Sequence, residues 1–190
     1  MTRLILASQS PRRKELLEQA HIPFQTISSN VEEWTDPALS PGELVVSLAE
    51  QKAEAVFRDH PEHVVLGSDT VVAIDGDVLG KPVDADDARS MLKRLSGTSH
   101  SVYTGVAVLA DGKRKTFYEK ADVYFYPLSD EEIDTYINSG EPFDKAGSYG
   151  IQGLGAVLVE RISGDYFAIV GLPLAGTVRV LKEFGVNWQA

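Results

Sequence analysis

What most constrains this chain is the order in which two hydrophobic periods alternate along it. Short apolar runs of strand length repeatedly give way to stretches with apolar residues at helical spacing, and two Asp-Gly pairs punctuate the middle. Leu4 to Ala7 reads as a strand, Ser10 as an N-cap, Pro11 as the first helical residue and Arg12 to Ala20 as a helix. Pro23 to Ser28 reads as a second strand, and an acidic loop with Glu32, Glu33 and Asp36 follows it. Ser40 and Glu43 make a capping box for a helix from Pro41 to about Arg58, with Leu44, Val45, Leu48, Ala49 and Ala53 on its buried face. Val64 to Ile74 is strand-like but interrupted by Gly67-Ser68-Asp69-Thr70, and Asp75-Gly76 turns the chain into Val78 and Leu79. Next come a helix over Asp86 to Leu95 closed by Gly97, and a hairpin of Ser101 to Ala110 and Lys115 to Tyr126 around Asp111-Gly112. A helix capped by Ser129 and Glu132 runs to about Asn138. The remainder reads as a Gly-rich loop, two strands (Ala156 to Ile162 and Tyr166 to Val170) and a helix from Pro173 to Phe184 ended by Gly185. This alternation predicts an α/β fold with a mixed sheet flanked by helices.

At 190 residues with 43% hydrophobic content, the chain is long enough for one core or two tightly joined lobes. No repeat, low-complexity tract or long linker divides it, so residues 1–190 are expected to form a single domain. The absence of cysteine excludes disulfides, thiolate nucleophiles, iron–sulfur clusters and cysteine zinc sites, and suits a reducing cytoplasm. Leu4 to Ala7 is too short for a signal-peptide core, and no stretch approaches the roughly 20 apolar residues of a membrane span. A net charge of -10 repels polyanions, so nucleic acid is not an expected partner. A small anion remains compatible with it wherever Arg and Lys cluster locally.

Four segments carry more polar chemistry than their positions need. In Ala7-Ser8-Gln9-Ser10-Pro11-Arg12-Arg13-Lys14, hydroxyls and cations gather at a helix N-terminus, where unpaired N–H groups already favour an anion. A capped surface helix with solvated arginines explains that segment equally well. In Gly67-Ser68-Asp69-Thr70, a carboxylate interrupts a strand and requires a partner: a metal, an activated water or a structural hydrogen-bond network. Gly80-Lys81-Pro82 resembles the end of a P-loop but lacks its spacing and its magnesium-binding hydroxyl, which leaves Lys81 as a point charge for phosphate or a plain surface lysine. The segment from Asp144 to Gly155 is glycine-rich without a Rossmann order, and reads as a mobile base-recognition loop carrying one amide, Gln152, or as a simple connection. Elsewhere, His60-Pro61-Glu62-His63 looks like a turn before a strand, Asp84-Ala85-Asp86-Asp87 like a helix cap, and no G-x-S-x-G elbow exists.

Taken together these segments resemble the Maf family of nucleoside triphosphate pyrophosphatases, whose opening Leu-Ala-Ser-x-Ser-Pro-Arg-Arg stands here as Leu6 to Arg13. Further matching segments are Val31-Glu32-Glu33, Ala49 to Ala53, Gly67 to Thr70, Gly80-Lys81-Pro82, Leu95-Ser96-Gly97, Asp144 to Gly147, Tyr149 to Gly153 and Val170 to Pro173. The resemblance implies a twisted mixed sheet with two lobes around a central cleft, as in Maf and ITPase-like proteins, and a homodimer. It further implies cleavage between the α and β phosphates with Mg2+ or Mn2+, and a house-cleaning role in the nucleotide pool. Arg12, Thr70 and Gln152 match the base-reading positions of the family branch that acts on dTTP and UTP; the branch directed at 7-methyl-GTP has Trp, Gln and Glu there. Uracil and thymine offer two carbonyl acceptors and one N–H donor, which an Arg, a hydroxyl and a carboxamide satisfy together.

On this reading Asp69 is the proton acceptor and, with Glu33, a metal ligand, while Ser8, Ser10, Arg13, Lys52 and Lys81 bind phosphate. A nucleotide-binding regulator of cell division with little turnover, and an enzyme for purine triphosphates, are the competing expectations.

Overall fold

A computed structural model describes residues 3–189. Its strands are β1 (Leu4–Leu6), β2 (Phe24–Thr26), β3 (Val64–Ile74), β4 (Asp77–Leu79), β5 (Ser99–Ala110), β6 (Lys113–Phe125) and β7 (Val159–Ser163). The helices are α1 (Pro11–Gln19), α2 (Pro41–Phe57), α3 (Ala85–Leu95), α4 (Asp130–Asn138), α5 (Tyr166–Val170) and α6 (Leu174–Glu183). The strands join in one sheet in the order β2-β1-β3-β5-β6-β7, with β4 paired to β3. β1 runs parallel to both β2 and β3, whereas β3 with β4 and β6 with β7 are antiparallel, so the sheet is mixed, as expected.

The chain forms two compact units: Met1–Asp69 with Thr104–Glu119 and Gly171–Ala190, and Thr70–Tyr103 with Lys120–Val170. In the first unit, Ile5, Val65, Ala107 and Leu109 of the sheet, with Ala7 just past β1, pack with Ala49, Ala53 and Val56 of α2. The capping box at Ser40 and Glu43 starts α2 as its sequence promised. Glycine is needed where the helix meets the sheet. A Cβ on Gly67 would stand 2.2 Å from the Ala49 carbonyl oxygen, and one on Gly105 would stand 2.3 Å from that of Val45. Both contacts lie far inside any van der Waals distance, so these two strand glycines admit the helix backbone itself. Gly67 therefore does not break β3, which runs unbroken from Val64 to Ile74.

In the second unit, Val72, Ile74, Val102, Val123 and Phe125 meet Ala88, Leu92 and Leu95 of α3 and Ile133, Tyr136 and Ile137 of α4. Asp84 caps α3 by accepting from the Asp87 N–H, which confirms capping for that acidic run. Two expectations fail here. Tyr166–Val170 is a helix, and the segment from Ala156 to Ile162 begins inside a 3-10 turn, Gly153–Leu158, before β7 starts at Val159. Both segments are apolar and short, a pattern that a buried helical turn shares with a strand. The Gly-rich segment is likewise built of 3-10 turns, Glu141–Asp144 and Ala146–Ser148 among them, and is not an open loop. The Glu141 carboxylate accepts from the Leu154 and Gly155 N–H groups, and the Tyr136 hydroxyl accepts from the Gly150 N–H, which ties these turns down. No helix among the described residues is long and apolar enough to cross a membrane.

Candidate active site

In the first unit, four chain segments bring their charges together. β3 carries Asp69 just beyond Gly67, and α2 carries Lys52 just before Ala53; the glycine contact that seats this helix thus sets one residue against the other. The Lys52 ammonium bonds Asp69 Oδ1 and lies 3.0 Å from Glu33 Oε1. Lys52 and Asp69 are 15% and 13% exposed in their side chains, whereas Glu33 is 43% exposed, so the pair is sheltered and the third member faces outward. A sheltered carboxylate needs a cationic or hydrogen-bonding partner, and Lys52 answers the question that Asp69 raised in the sequence.

Glu33 lies in a stretch without regular secondary structure, where nothing local fixes its direction. A neighbouring side chain does so. The Gln51 carboxamide accepts from the Trp34 N–H and donates to the Trp34 carbonyl, both at 2.8 Å, and so grips the backbone one residue past Glu33. Gln51 Nε2 also donates to Ser47 Oγ at 3.2 Å, which orients the amide from its own helix.

The opening segment supplies cations and hydroxyls. Ser10 caps α1, accepting from the Arg13 N–H, and the first turn of that helix holds no acidic residue to balance Arg12, Arg13 and Lys14. Arg13 reaches inward. Its Nε donates to the Gly171 carbonyl at 2.7 Å and its Nη1 to Ser8 Oγ at 3.3 Å. Burial pushes the Arg13 guanidinium below the usual arginine range; Asp69 pulls it back up, Arg12 depresses it further, and Glu33 raises it. Arginine starts so high that the group stays charged, and a half-buried cation gains more from an incoming anion than one in open water. Ser8, buried, accepts from both the Ser10 N–H and Arg13, which engages the oxygen of its hydroxyl as an acceptor twice over.

Neighbouring Ser68 proves structural. Fully buried, it donates to the Gly105 carbonyl at 2.9 Å and, more weakly, to that of Gly171 at 3.3 Å. The Gly171 carbonyl is thus shared by Arg13 and Ser68, an anchor that the segment Val170 to Pro173 gave no physical reason to expect.

Asp69, Glu33, Lys52, Arg13, Ser8, Ser10 and Arg12 all belong to the first unit. Thr70, Lys81 and Gln152 belong to the second. Thr70 follows Asp69 directly in β3, Lys81 is exposed next to Gly80, whose carbonyl accepts from the Gly147 N–H at 3.1 Å, and Gln152 is exposed at the start of the turn pinned by Glu141. Gln51, Gly171 and Glu141 were not foreseen as contributors. Gln51 sits beside Lys52 in the helix, within the matching segment Ala49 to Ala53, and these two placements are the signals that could have marked it.

A mixed α/β chain that gathers two carboxylates and sheltered or half-buried cations in one place offers what binding and cleaving an anionic substrate requires. Residues 3–184 match the family described as Maf-like protein, and the chain belongs to the Maf family. It is 54% identical over 187 residues to a dTTP/UTP pyrophosphatase of Bacillus cereus, an alignment covering 98% of each chain. To the dTTP/UTP pyrophosphatase of Bacillus cytotoxicus it is 55% identical over 184 residues, covering 97% of this chain and 96% of that one. Among solved structures, the Staphylococcus aureus Ham1 protein aligns with a TM-score of 0.48 at 14% identity, over 82% of this chain and 79% of that one.

Proposed function

We propose that the protein hydrolyses dTTP and UTP to the monophosphate and pyrophosphate, as a homodimer whose chain works as one domain on the cytoplasmic nucleotide pool. The observation that carries this reading is the chain of Glu33, Lys52 and Asp69 beside the half-buried Arg13 guanidinium. The names of relatives 54% and 55% identical over nearly the full chain support the substrate class.

Asp69 takes the proton of a water as its oxygen bonds to the α-phosphorus in line with the bridging oxygen. The bond from phosphorus to that oxygen breaks, and its electron pair leaves with pyrophosphate. Arg13, Lys52 and Lys81 offset the charge on the phosphate oxygens, and Ser8 and Ser10 with the first N–H groups of α1 orient them. Arg12, Thr70 and Gln152 read the base: guanidinium and amide donors meet its carbonyls, and an oxygen acceptor meets its N–H.

Glu33 and Asp69 fit a hard divalent ion, Mg2+ or Mn2+. Both offer carboxylate oxygens, and the Lys52 ammonium between them already marks a place that attracts positive charge. When bound, such an ion withdraws charge from phosphate oxygens and makes a nearby water more acidic.

The decisive variant is Asp69→Asn. Lys52 keeps Glu33 as a partner at 3.0 Å, so the fold survives, while turnover of dTTP and UTP falls at least about a hundredfold. Pyrophosphate release measured with both nucleotides tests this; undiminished release by the folded variant removes Asp69 from the chemistry. Tight nucleotide binding without release by the wild-type protein would favour the regulator instead.

A further inference from the structure

Outside the candidate active site, the turn between α2 and β3 holds three metal-ligating side chains, His60, Glu62 and His63, whose donor atoms all lie within 4.8 Å of one another. Among the described residues it is the one such grouping of three histidine or acidic side chains. The backbone beneath it is well tied. The His60 N–H bonds the Phe57 carbonyl at 3.2 Å, the His63 N–H bonds the His60 carbonyl at 3.1 Å, and the Val64 N–H bonds the Arg3 carbonyl at 2.9 Å, while Pro61 restricts the intervening bond.

The side-chain geometry poses an electrostatic problem. His63 Nδ1 is buried and makes no aligned hydrogen bond among the described residues, yet Glu62 Oε1 lies 2.7 Å from it. In the tautomer that leaves Nδ1 bare, two lone pairs face each other at that distance; the neutral tautomer with its proton on Nδ1 relieves the repulsion, and so does a cation between or beside them. A proton on the imidazole is one such cation. The His60 ring, perpendicular to that of His63 with centroids 6.0 Å apart, adds a third donor that a proton does not use.

We propose that His60, Glu62 and His63 bind a borderline transition-metal dication of the zinc class, with water completing the shell. Two imidazoles and one carboxylate are the donor set such ions prefer over hard magnesium. Donors around a tetrahedral zinc stand about 3.3 Å apart, given bonds of about 2.0–2.1 Å. The Glu62–His63 pair is already close enough, and rotation of the exposed Glu62 and the half-buried histidines has to bring spacings of at most 4.8 Å in by no more than about 1.5 Å. From Val64 to Asp69 the strand climbs about 17 Å, which separates this site from the proposed chemistry. Occupancy here stands independently of whether dTTP is the substrate.

Zinc chloride titrated into the metal-stripped full-length protein, followed by calorimetry and by competition with a chromogenic chelator, tests the proposal. Wild type takes up one zinc per chain at this turn. His60→Ala and His63→Ala each weaken that uptake at least about tenfold, as does Glu62→Gln to a lesser degree, and excess magnesium does not compete. Asp69→Asn leaves this binding unchanged, which separates it from zinc captured by the acidic pair near Lys52. The proposal is overturned if wild type takes up no zinc at micromolar concentrations, the outcome expected of a mere proton between Glu62 and His63. It is equally overturned if uptake persists unchanged in the histidine variants or disappears in Asp69→Asn.

Discussion

Gln51 touches no phosphate in the proposed mechanism, and its removal nevertheless should cost activity. Its amide makes two hydrogen bonds to the Trp34 backbone, each 2.8 Å long, and so grips the acidic loop through both an N–H and a carbonyl. Hydrogen bonds of this kind contribute about 0.5–1.5 kcal/mol each, so the clamp holds the loop with about 1–3 kcal/mol. Gln51→Ala removes that restraint from Glu33, and the free energy of placing Glu33 beside Lys52 must then come from substrate binding. At about 1.4 kcal/mol per tenfold, kcat/KM for dTTP drops about five- to a hundredfold. The loss grows at low magnesium, if Glu33 serves the metal. A second readout needs no activity. Trp34 and Trp188, the chain's two tryptophans, are 66% and 63% exposed, and in a Trp188→Phe background the fluorescence anisotropy of Trp34 reports loop motion alone. Gln51→Ala lowers that anisotropy while shifting the melting temperature by no more than about 10 °C, which leaves the protein folded at the assay temperature. Unchanged anisotropy together with kcat/KM within twofold of the parent would refute the positioning role.

Three further outcomes follow from other parts of the molecule. Gln152→Glu exchanges an amide donor for an acceptor against the base carbonyls, so turnover of dTTP and UTP falls and selectivity over a nucleotide panel changes; an identical panel removes Gln152 from base recognition. His100 is buried against Phe125 and Tyr149, and burial lowers its pKa from 6.5 to about 4 against a weaker upward pull from Asp122. Its folded pKa lies below its unfolded one, so the unfolded state binds more protons between them; the neutral ring's stabilisation is complete above about pH 6.5 and fades as pH falls toward 4, by about 3 kcal/mol. Urea unfolding at pH 7 and pH 4.5 checks this, because His100→Gln should flatten the acid-side loss, and an unaltered slope contradicts the assignment. Gly67→Ala drives a methyl group into the Ala49 carbonyl, so the melting temperature falls by about 5–10 °C for the roughly 3 kcal/mol that such overpacking costs.

Much of this architecture was legible in the residues. The capping boxes at Ser40 and Ser129, the Ser10 cap with Pro11 behind it, and the Asp-Gly turns at 75–76 and 111–112 carry local physics that needs no tertiary partner, and each stands where the pattern put it. Tyr166–Val170 misled because five apolar and aromatic residues satisfy a strand and a short buried helix alike. Asp69 was conspicuous as a carboxylate inside an apolar strand, and Lys52 and Glu33 entered through resemblance to a family. That they form one chain of charges follows from a long-range approach of helix to sheet, which no local spacing encodes. Gln51 and the Gly171 carbonyl escaped notice for the same reason: a single amide or a backbone oxygen acquires meaning only from what lies across from it.

The seat of α2 on its sheet also limits how this protein can change. What a new methyl group at position 67 or 105 meets is main chain, the Ala49 and Val45 carbonyls, and no trimming of a neighbouring side chain can make room for it. Second-site suppressors of such a change should therefore be absent from the helix face and appear, if anywhere, where the chain enters or leaves the helix. Routine thermostabilising campaigns that replace glycine in strands should spare both positions, since two missing side chains set how closely Lys52 of the helix approaches Asp69 of the strand.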